Sequence, residues 1–586
     1  MSTDAPARPR RVTAAARWAV ALLALALFLG GAALRLTDLE GNPPGFWQDE
    51  ASTGIDAWLL WHTGRDRAGE RWPLIARSFG DYPLALYRYL DAPLVGLLGP
   101  TIRNQRLVAA LAGTLLLVAV ALVLRRRLGD GAALAGLLVG ALCPTWLHFS
   151  RYGSEAILLP ALLTAGWACF ERGRDPGRRG ALWAGAACLG LSAYTYHAVK
   201  LFLPLWLPGF LALQAPLIRE LAADRRARRH LFGPALLFAA LVLPSAWVAL
   251  SPGGLARGQT VLAWYQHSGV ELLRVVANNY LSYFDPGMLF VRGGPAVAQS
   301  IPGLGMWNLI ELPSVLAGLW AATRPGPQRR FFAFLLFWFA LGPLPGGVTY
   351  ETHNMGRAIG WLPAPQMLSA IGLWTLARAL RARWAAPAAG LAGAGRRLGA
   401  ALSLALLIAG WAVTARSVWR LTLVEYPDRT QRDWQFEISG AMRCALAHRA
   451  DERLIVSPSF HLAEVFADFF FAELALGRAR DEVWTLSERG VVAPGELYLF
   501  PAGRPIPQGR EVCRVVNRRT DTPQAFVYAA PAPEALPADA GPAAGALPAV
   551  QPGPLPDGVR AVPLRPTPPL RLDQLPSETP RRAPGD

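Results

Sequence analysis

Four short stretches of this chain gather the residue types that group-transfer chemistry needs. GFWQDEASTG, residues 45–54, sets two adjacent acids, Asp49 and Glu50, beside Trp47. HFSRYGSE, residues 148–155, brings Arg151 and Glu155 together. SAYTYHAVK, residues 192–200, holds Tyr194, Tyr196, His197 and Lys200, the only lysine of the chain. YETHNMGRAIGWLP, residues 350–363, holds His353, Asn354 and Arg357. A carboxylate within reach of a hydroxyl can take its proton as that oxygen attacks. Lysine and arginine can hold a phosphate, arginine through two parallel bonds. Tyr194, Tyr196 and His197 suit a pocket that grips a phosphate and a sugar.

Each stretch also has a plainer reading. The acids follow a turn signal, Asn42-Pro43-Pro44-Gly45, and precede an amphipathic stretch, so an acid there can cap a helix. A cap explains one acid better than two. Arg151 and Glu155 can form an ordinary ion pair, Lys200 can snorkel at a helix end, and His353 and Arg357 can belong to a helix entry.

The elements that must position these residues are membrane helices. The chain has 586 residues, 53% hydrophobic and 17% charged, against about 25% charged in ordinary soluble domains. Apolar runs recur at bilayer-crossing lengths, near 18–36, 104–124, 131–148, 156–171, 180–197, 200–217, 231–250, 307–323, 331–345, 358–378 and 398–417. That makes about eleven spans of about 20 residues each, with the first kept as an uncleaved helix rather than a signal peptide. The fold class expected is a mainly α, polytopic helical membrane protein. The stretch 82–99 carries Arg88 and Asp91 and suits a helix lying in the interface.

Charge sets the orientation. The net charge of +17 is gathered in arginine-rich loops near 125–127, 172–179, 219–229, 324–330 and 378–397. With 82–99 interfacial these loops all share the side of the N-terminus, which the positive-inside rule makes cytoplasmic. No basic stripe with interleaved aromatics accompanies them, which argues against nucleic acid. The loops 38–103, 149–155, 252–306 and 346–357 and the turn at 194–200 then share the outer face of a cytoplasmic (inner) membrane. Glycine and proline punctuate 278–294, which reads as ordered turns rather than a helix.

Composition changes after about residue 418. PDRTQRDWQFEISGAMRCALAHRA reads as one amphipathic helix, and RLIVS, VWTL, ELYLF, VCRVV and AFVYA as short strands, with HLAEVFADFFFAELAL a helix between the first two. The expected division is a transmembrane catalytic domain over 1–417, a small extracytoplasmic α/β domain over 418–530, and an Ala- and Pro-rich disordered tail over 531–586. Of five cysteines, Cys143, Cys169 and Cys188 fall in apolar segments. Cys444 and Cys513 can pair or stay free on this evidence. A single lysine in HAVK excludes a phosphate-binding Walker loop, and no strand–GxGxxG–helix unit occurs.

Taken in order, the motifs resemble the GT-C class of glycosyltransferases, which use lipid-linked sugars, in the branch related to protein O-mannosyltransferases and bacterial aminoarabinose transferases. PPGFWQDEASTG with TGRDRAGERWPL, YPLALYRYLDAPLVGLLGP with Arg106, PTWLHFSRYGSE, LGLSAYTYHAVKLFLPL, NYLSYFDPGMLFVRGG and HNMGRAIGWLP carry the resemblance, over about residues 15–380. It implies a polyprenyl-phosphate sugar donor, membrane lipid around the site, and an acceptor hydroxyl on a lipid, glycan or protein. The transfer implied is hexosyl or pentosyl, usually with inversion. It implies that Asp49 is the base and that Glu50 assists or binds a divalent metal, as in some members. Glu155 falls where the family commonly has Asp, a departure that leaves its role open. A leaving phosphate gathers charge, for which Lys200 and Arg357 are the candidate cations, with Arg151 nearby. A transporter or lipid flippase without catalysis is the rival reading, which internal repeats would favour, though none is evident, and a non-catalytic envelope assembly protein is a second.

Overall fold

The structure, a computed structural model, describes residues 13–79, 81–385, 390–448, 453–460, 462–473, 484–530 and 559–561. It divides the chain into two compact units. One holds residues up to Asn42 and Asp56–Pro427; the other holds Pro43–Ile55 and everything from Asp428 on. The second unit resumes at Asp428, ten residues after the change of composition near 418. More important, the segment with the acid pair belongs with the C-terminal unit and not with the helical one.

Every apolar run expected to span carries a helix. Among the described residues six helices are long and apolar enough to cross a membrane, among them Ala14–Leu36, Ile102–Leu128, Val199–Ala223 and Arg229–Ala249. The core of the helical unit is aromatic: Trp206 stacks on Phe210 at 4.8 Å and meets Trp338 edge-on at 5.1 Å. Close helix approach uses glycine. A Cβ on Gly372 would come within 1.7 Å of the Ser314 carbonyl oxygen, so helices Glu311–Thr323 and Pro363–Ala385 pack backbone to backbone.

Buried arginines tie down the segment after the first helix. Arg35 donates to the carbonyls of Gly31 and Gly140 at 2.8 Å each. Arg106 donates to Leu39 O at 3.0 Å, and Arg151 to Thr37 O at 2.8 Å and Asn42 O at 3.1 Å. The stretch 82–99 is a helix from Leu86 to Leu98. Its charges are buried in protein: Arg88 meets Asp56 at 3.0 Å, and Asp91 is fully covered. The stretch 278–294 is not all turns. Its first residues close the helix Gly269–Ser282, where an apolar face outweighs the turn signals, and Met288–Arg292 form a π-helical turn.

The C-terminal unit is a mixed sheet with helices. Its strands are β1 (Arg453–Val456), β2 (Trp484–Leu486), β3 (Glu496–Pro501), β4 (Arg510–Val516), β5 (Pro523–Ala529) and β6 (Val559–Ala561), in the order β2-β1-β3-β5-β4-β6. β1 runs parallel to β2 and β3, with Ile455 opposite Tyr498. β5 is antiparallel to β3 and β4, and β6 to β4. β6 comes from the segment expected to be a disordered tail; the rest of that tail lies outside the described residues. Helix Phe436–His448 packs on β3, β4 and β5, and a disulfide from Cys444 to Cys513 joins it to β4. The amphipathic helix expected over 427–450 is broken at Gln435, which takes a left-handed conformation at φ 52°.

The disulfide closes a loop of 69 residues. Replacing both cysteines by serine is expected to destabilise this unit by about 2–4 kcal/mol. Thermal unfolding of the full chain with and without reductant checks this; identical melting would contradict it.

Candidate functional site

The acid pair separates into two roles at the start of helix Gln48–Thr63. Glu50 is buried, and its Oε2 accepts the Trp47 backbone N–H at 3.0 Å. That is the returning half of a capping box. Asp49, one residue earlier in the first turn, is exposed. The positive end of the helix favours a charged carboxylate there.

The rest of the C-terminal unit holds this turn in place. Gln435 Oε1 accepts the Gln48 backbone N–H at 2.9 Å, and Gln435 Nε2 donates to Gln48 Oε1 at 3.0 Å. This reciprocal amide pair explains the left-handed break at Gln435. Trp47 meets Trp434 edge-on at 5.4 Å, and Phe46 meets Phe469 at 4.5 Å. Gly45 is required by the approach, since a Cβ there would lie 2.0 Å from Trp434 O.

A cavity of about 330 Å³ in the helical unit collects the other group of predicted residues. The turn after helix Ala181–Ser192 places Tyr196 and His197 on its wall, and Lys200 follows in the first turn of helix Val199–Ala223. Helix Pro252–Val261 adds Arg257, and the turn after Asn354 adds Arg357. Leu201, Leu250, Leu255, Val261, Leu262 and Trp264 make the apolar remainder. Three cations thus converge on a pocket that is otherwise largely hydrocarbon.

Their partners hold them without exhausting them. Lys200 Nζ donates to Gly254 O at 2.6 Å and lies 3.3 Å from His197 Nδ1. His197 Nε2 lies 3.3 Å from Asp81 Oδ1, and Arg257 Nε lies 3.6 Å from Asp81 Oδ2. Arg357 is 7% exposed, and its Nη2 meets Glu351 at 2.8 Å. Its Nη1 is buried with no hydrogen-bond partner among the described residues. A ligand oxygen would satisfy that orphaned donor.

The remaining predicted residues lie elsewhere. Glu155, in a short 3-10 turn, is near enough to act electrostatically on Tyr196. Tyr194 does not line the cavity; its hydroxyl donates to Leu241 O at 2.6 Å. Arg151 is spent on backbone carbonyls, and burial pulls its guanidinium down to about 10. His353 is partly buried in a left-handed turn at φ 59° and does not line the cavity. Asp81 and Arg257 were missed by the sequence reading. Arg257 had a signal: it is the one arginine, lysine or acid between Arg229 and Glu271.

A divalent metal at Glu50 does not fit the residues present. Its carboxylate is engaged by the Trp47 N–H, and among the described residues no three His, Cys, Asp or Glu side chains gather to hold an ion.

Asp81 supplies a pH test. Burial raises its pKa, but the hydrogen bond and charge of His197, with Arg257 behind them, outweigh that and hold it below the ordinary 3.8. A depressed carboxylate stabilises the fold above its unfolded pKa and loses that contribution as pH falls through the folded one. The carboxylate's share of the stability gap between wild type and Asp81→Asn is therefore expected to be lost as pH falls below about 4. Unfolding of both proteins from about pH 5 to about pH 2 checks this; a gap that does not narrow over that range would contradict it.

No protein-family model and no curated protein matches the chain. Among solved structures it is similar to ArnT from Cupriavidus metallidurans bound to undecaprenyl phosphate, at 15% identity and a TM-score of 0.49, over 88% of this chain and 98% of that one. It is also similar to the archaeal oligosaccharyltransferase AglB from Archaeoglobus fulgidus in complex with an inhibitory peptide and a dolichol-phosphate, at 13% identity and a TM-score of 0.47, over 78% of this chain and 64% of that one. The S. cerevisiae protein O-mannosyltransferase Pmt1-Pmt2 complex bound to the sugar donor matches over 39% of this chain and 32% of that one, at 18% identity and a TM-score of 0.29.

Proposed function

We propose that this chain is an integral membrane glycosyltransferase of the GT-C kind. It moves a sugar from a polyprenyl-phosphate donor to an acceptor hydroxyl on the outer face of the cytoplasmic membrane. The observation that carries the reading is the cavity in which Lys200, Arg257 and Arg357 meet within an apolar wall. A ligand with a phosphate head and a hydrocarbon tail matches both halves of that surface; a free nucleotide matches only the first.

The chemistry assigned is a single displacement. The acceptor oxygen attacks the anomeric carbon while Asp49 takes its proton. The bond from that carbon to the phosphate oxygen breaks, and its electron pair leaves with the lipid phosphate. Lys200, Arg257 and Arg357 stabilise the charge that gathers there. Attack opposite the leaving group inverts the anomeric centre. Glu155 is near enough to Tyr196 to act on it electrostatically. The Cys444–Cys513 disulfide supports an oxidising compartment for the C-terminal unit, and so an outer face.

A donor panel tests the proposal. Purified protein is given polyprenyl-phosphate sugars and nucleotide sugars in parallel, with lipid, glycan and peptide acceptors. Transfer from the lipid-linked set alone is expected. Transfer from nucleotide sugars, or translocation of the intact lipid without transfer, would overturn it.

A further inference from the structure

The arginines at the other conspicuous basic end of the helical unit are not equivalent. Arg127 and Arg174 both close on buried Glu171, and Arg179 closes on Glu220. Arg125 pairs with Asp130, and Arg126 with Asp175. Arg172 and Arg178 are exposed and make no ion pair with any described residue. Both line one groove of about 530 Å³ between helices Ile102–Leu128 and Leu158–Arg172.

The groove has a sharp division of chemistry. Leu115, Val118 and Leu122 of the first helix and Ala165 and Cys169 of the second make its floor. Arg125, Arg126, Arg172 and Arg178 stand at its mouth. The acids that also border it are Asp175, which Arg126 holds, and Glu171, whose charge Arg127 and Arg174 answer from outside the groove. Two uncompensated cations therefore face an apolar channel. The ridge of Val118, Leu122 and Arg125 borders a second apolar groove, of about 740 Å³, against helix Ala14–Leu36.

We propose that this groove binds an anionic phospholipid. Its phosphate is held by Arg172 and Arg178, one acyl chain lies on the floor, and the other crosses the ridge into the second groove. Charge complementarity selects the ligand: the arginine mouth wants a phosphate without a compensating ammonium, and the floor wants hydrocarbon. An acidic protein or a nucleic acid would leave the floor uncovered. The site is separate from the donor cavity and shares no lining residue with it. The inference rests on the chain being a membrane protein and is independent of the transfer chemistry.

The test counts lipid bound to full-length protein in neutral detergent by native mass spectrometry, with phosphatidylglycerol or phosphatidylcholine added. Wild type is expected to retain phosphatidylglycerol in preference. Arg172→Gln/Arg178→Gln is expected to weaken phosphatidylglycerol binding roughly tenfold and leave phosphatidylcholine unchanged. Arg225→Gln/Arg226→Gln removes the same charge from another exposed loop and is expected to bind as wild type does. Equal retention of the two lipids by wild type, or an equal loss in both double variants, overturns the site.

Discussion

Asp49→Asn is expected to lower sugar transfer by about 10²–10⁴-fold, the range lost with a general base, and to leave folding intact. The exposed side chain in the first helical turn explains the second half of that expectation. Asparagine is isosteric, keeps a side-chain oxygen near the helix start, and disturbs neither the Glu50 cap nor the Gln48–Gln435 amide pair. Glu50→Gln is the informative partner. A buried cap should fail in stability, by about 1 kcal/mol, before it fails in chemistry. If Asp49→Asn turns over normally while Glu50→Gln is inactive at temperatures where it remains folded, the roles of the two acids are reversed.

The second large effect is expected at the cations of the cavity. Arg357→Ala should cost about 10²–10³-fold in kcat, as for a lost donor to a developing oxyanion. Arg357→Lys should recover little, because an ammonium cannot keep the Glu351 contact and also present a second planar donor. Lys200→Ala should raise the apparent KM for the donor and leave that for the acceptor unchanged. Steady-state kinetics with each substrate varied in turn check both. A Lys200→Ala protein whose defect lies in acceptor use would remove Lys200 from the phosphate.

Much of this was legible in the sequence because hydrophobic period and element type are local properties. Each expected span carries a helix, and the strands RLIVS through AFVYA form with small shifts at their ends. Lys200 drew notice through its rarity, and the structure places it with Tyr196, His197 and Arg357 on one cavity. What stayed hidden depends on contacts across hundreds of residues. Nothing near GFWQDEASTG shows that Gln48 pairs with Gln435, or that Phe46 meets Phe469. Nothing near HFSRYGSE shows that Arg151 is consumed by the carbonyls of Thr37 and Asn42. An arginine seeking a phosphate and one capping carbonyls read alike in one dimension. The acid pair shows the same limit: adjacency suggested a shared role, whereas a helical turn sends neighbouring side chains about 100° apart.

The proposed function requires this protein to break the bond between a sugar and a lipid phosphate. The most direct measurement follows both products at once in sealed proteoliposomes, with a polyprenyl-phosphate sugar labelled in the sugar and in the phosphate. One lipid phosphate released for each sugar transferred, with both lost together in Asp49→Asn, is the result expected. Intact donor crossing the bilayer at equal rates in wild type and Asp49→Asn, with no lipid phosphate released, would contradict it.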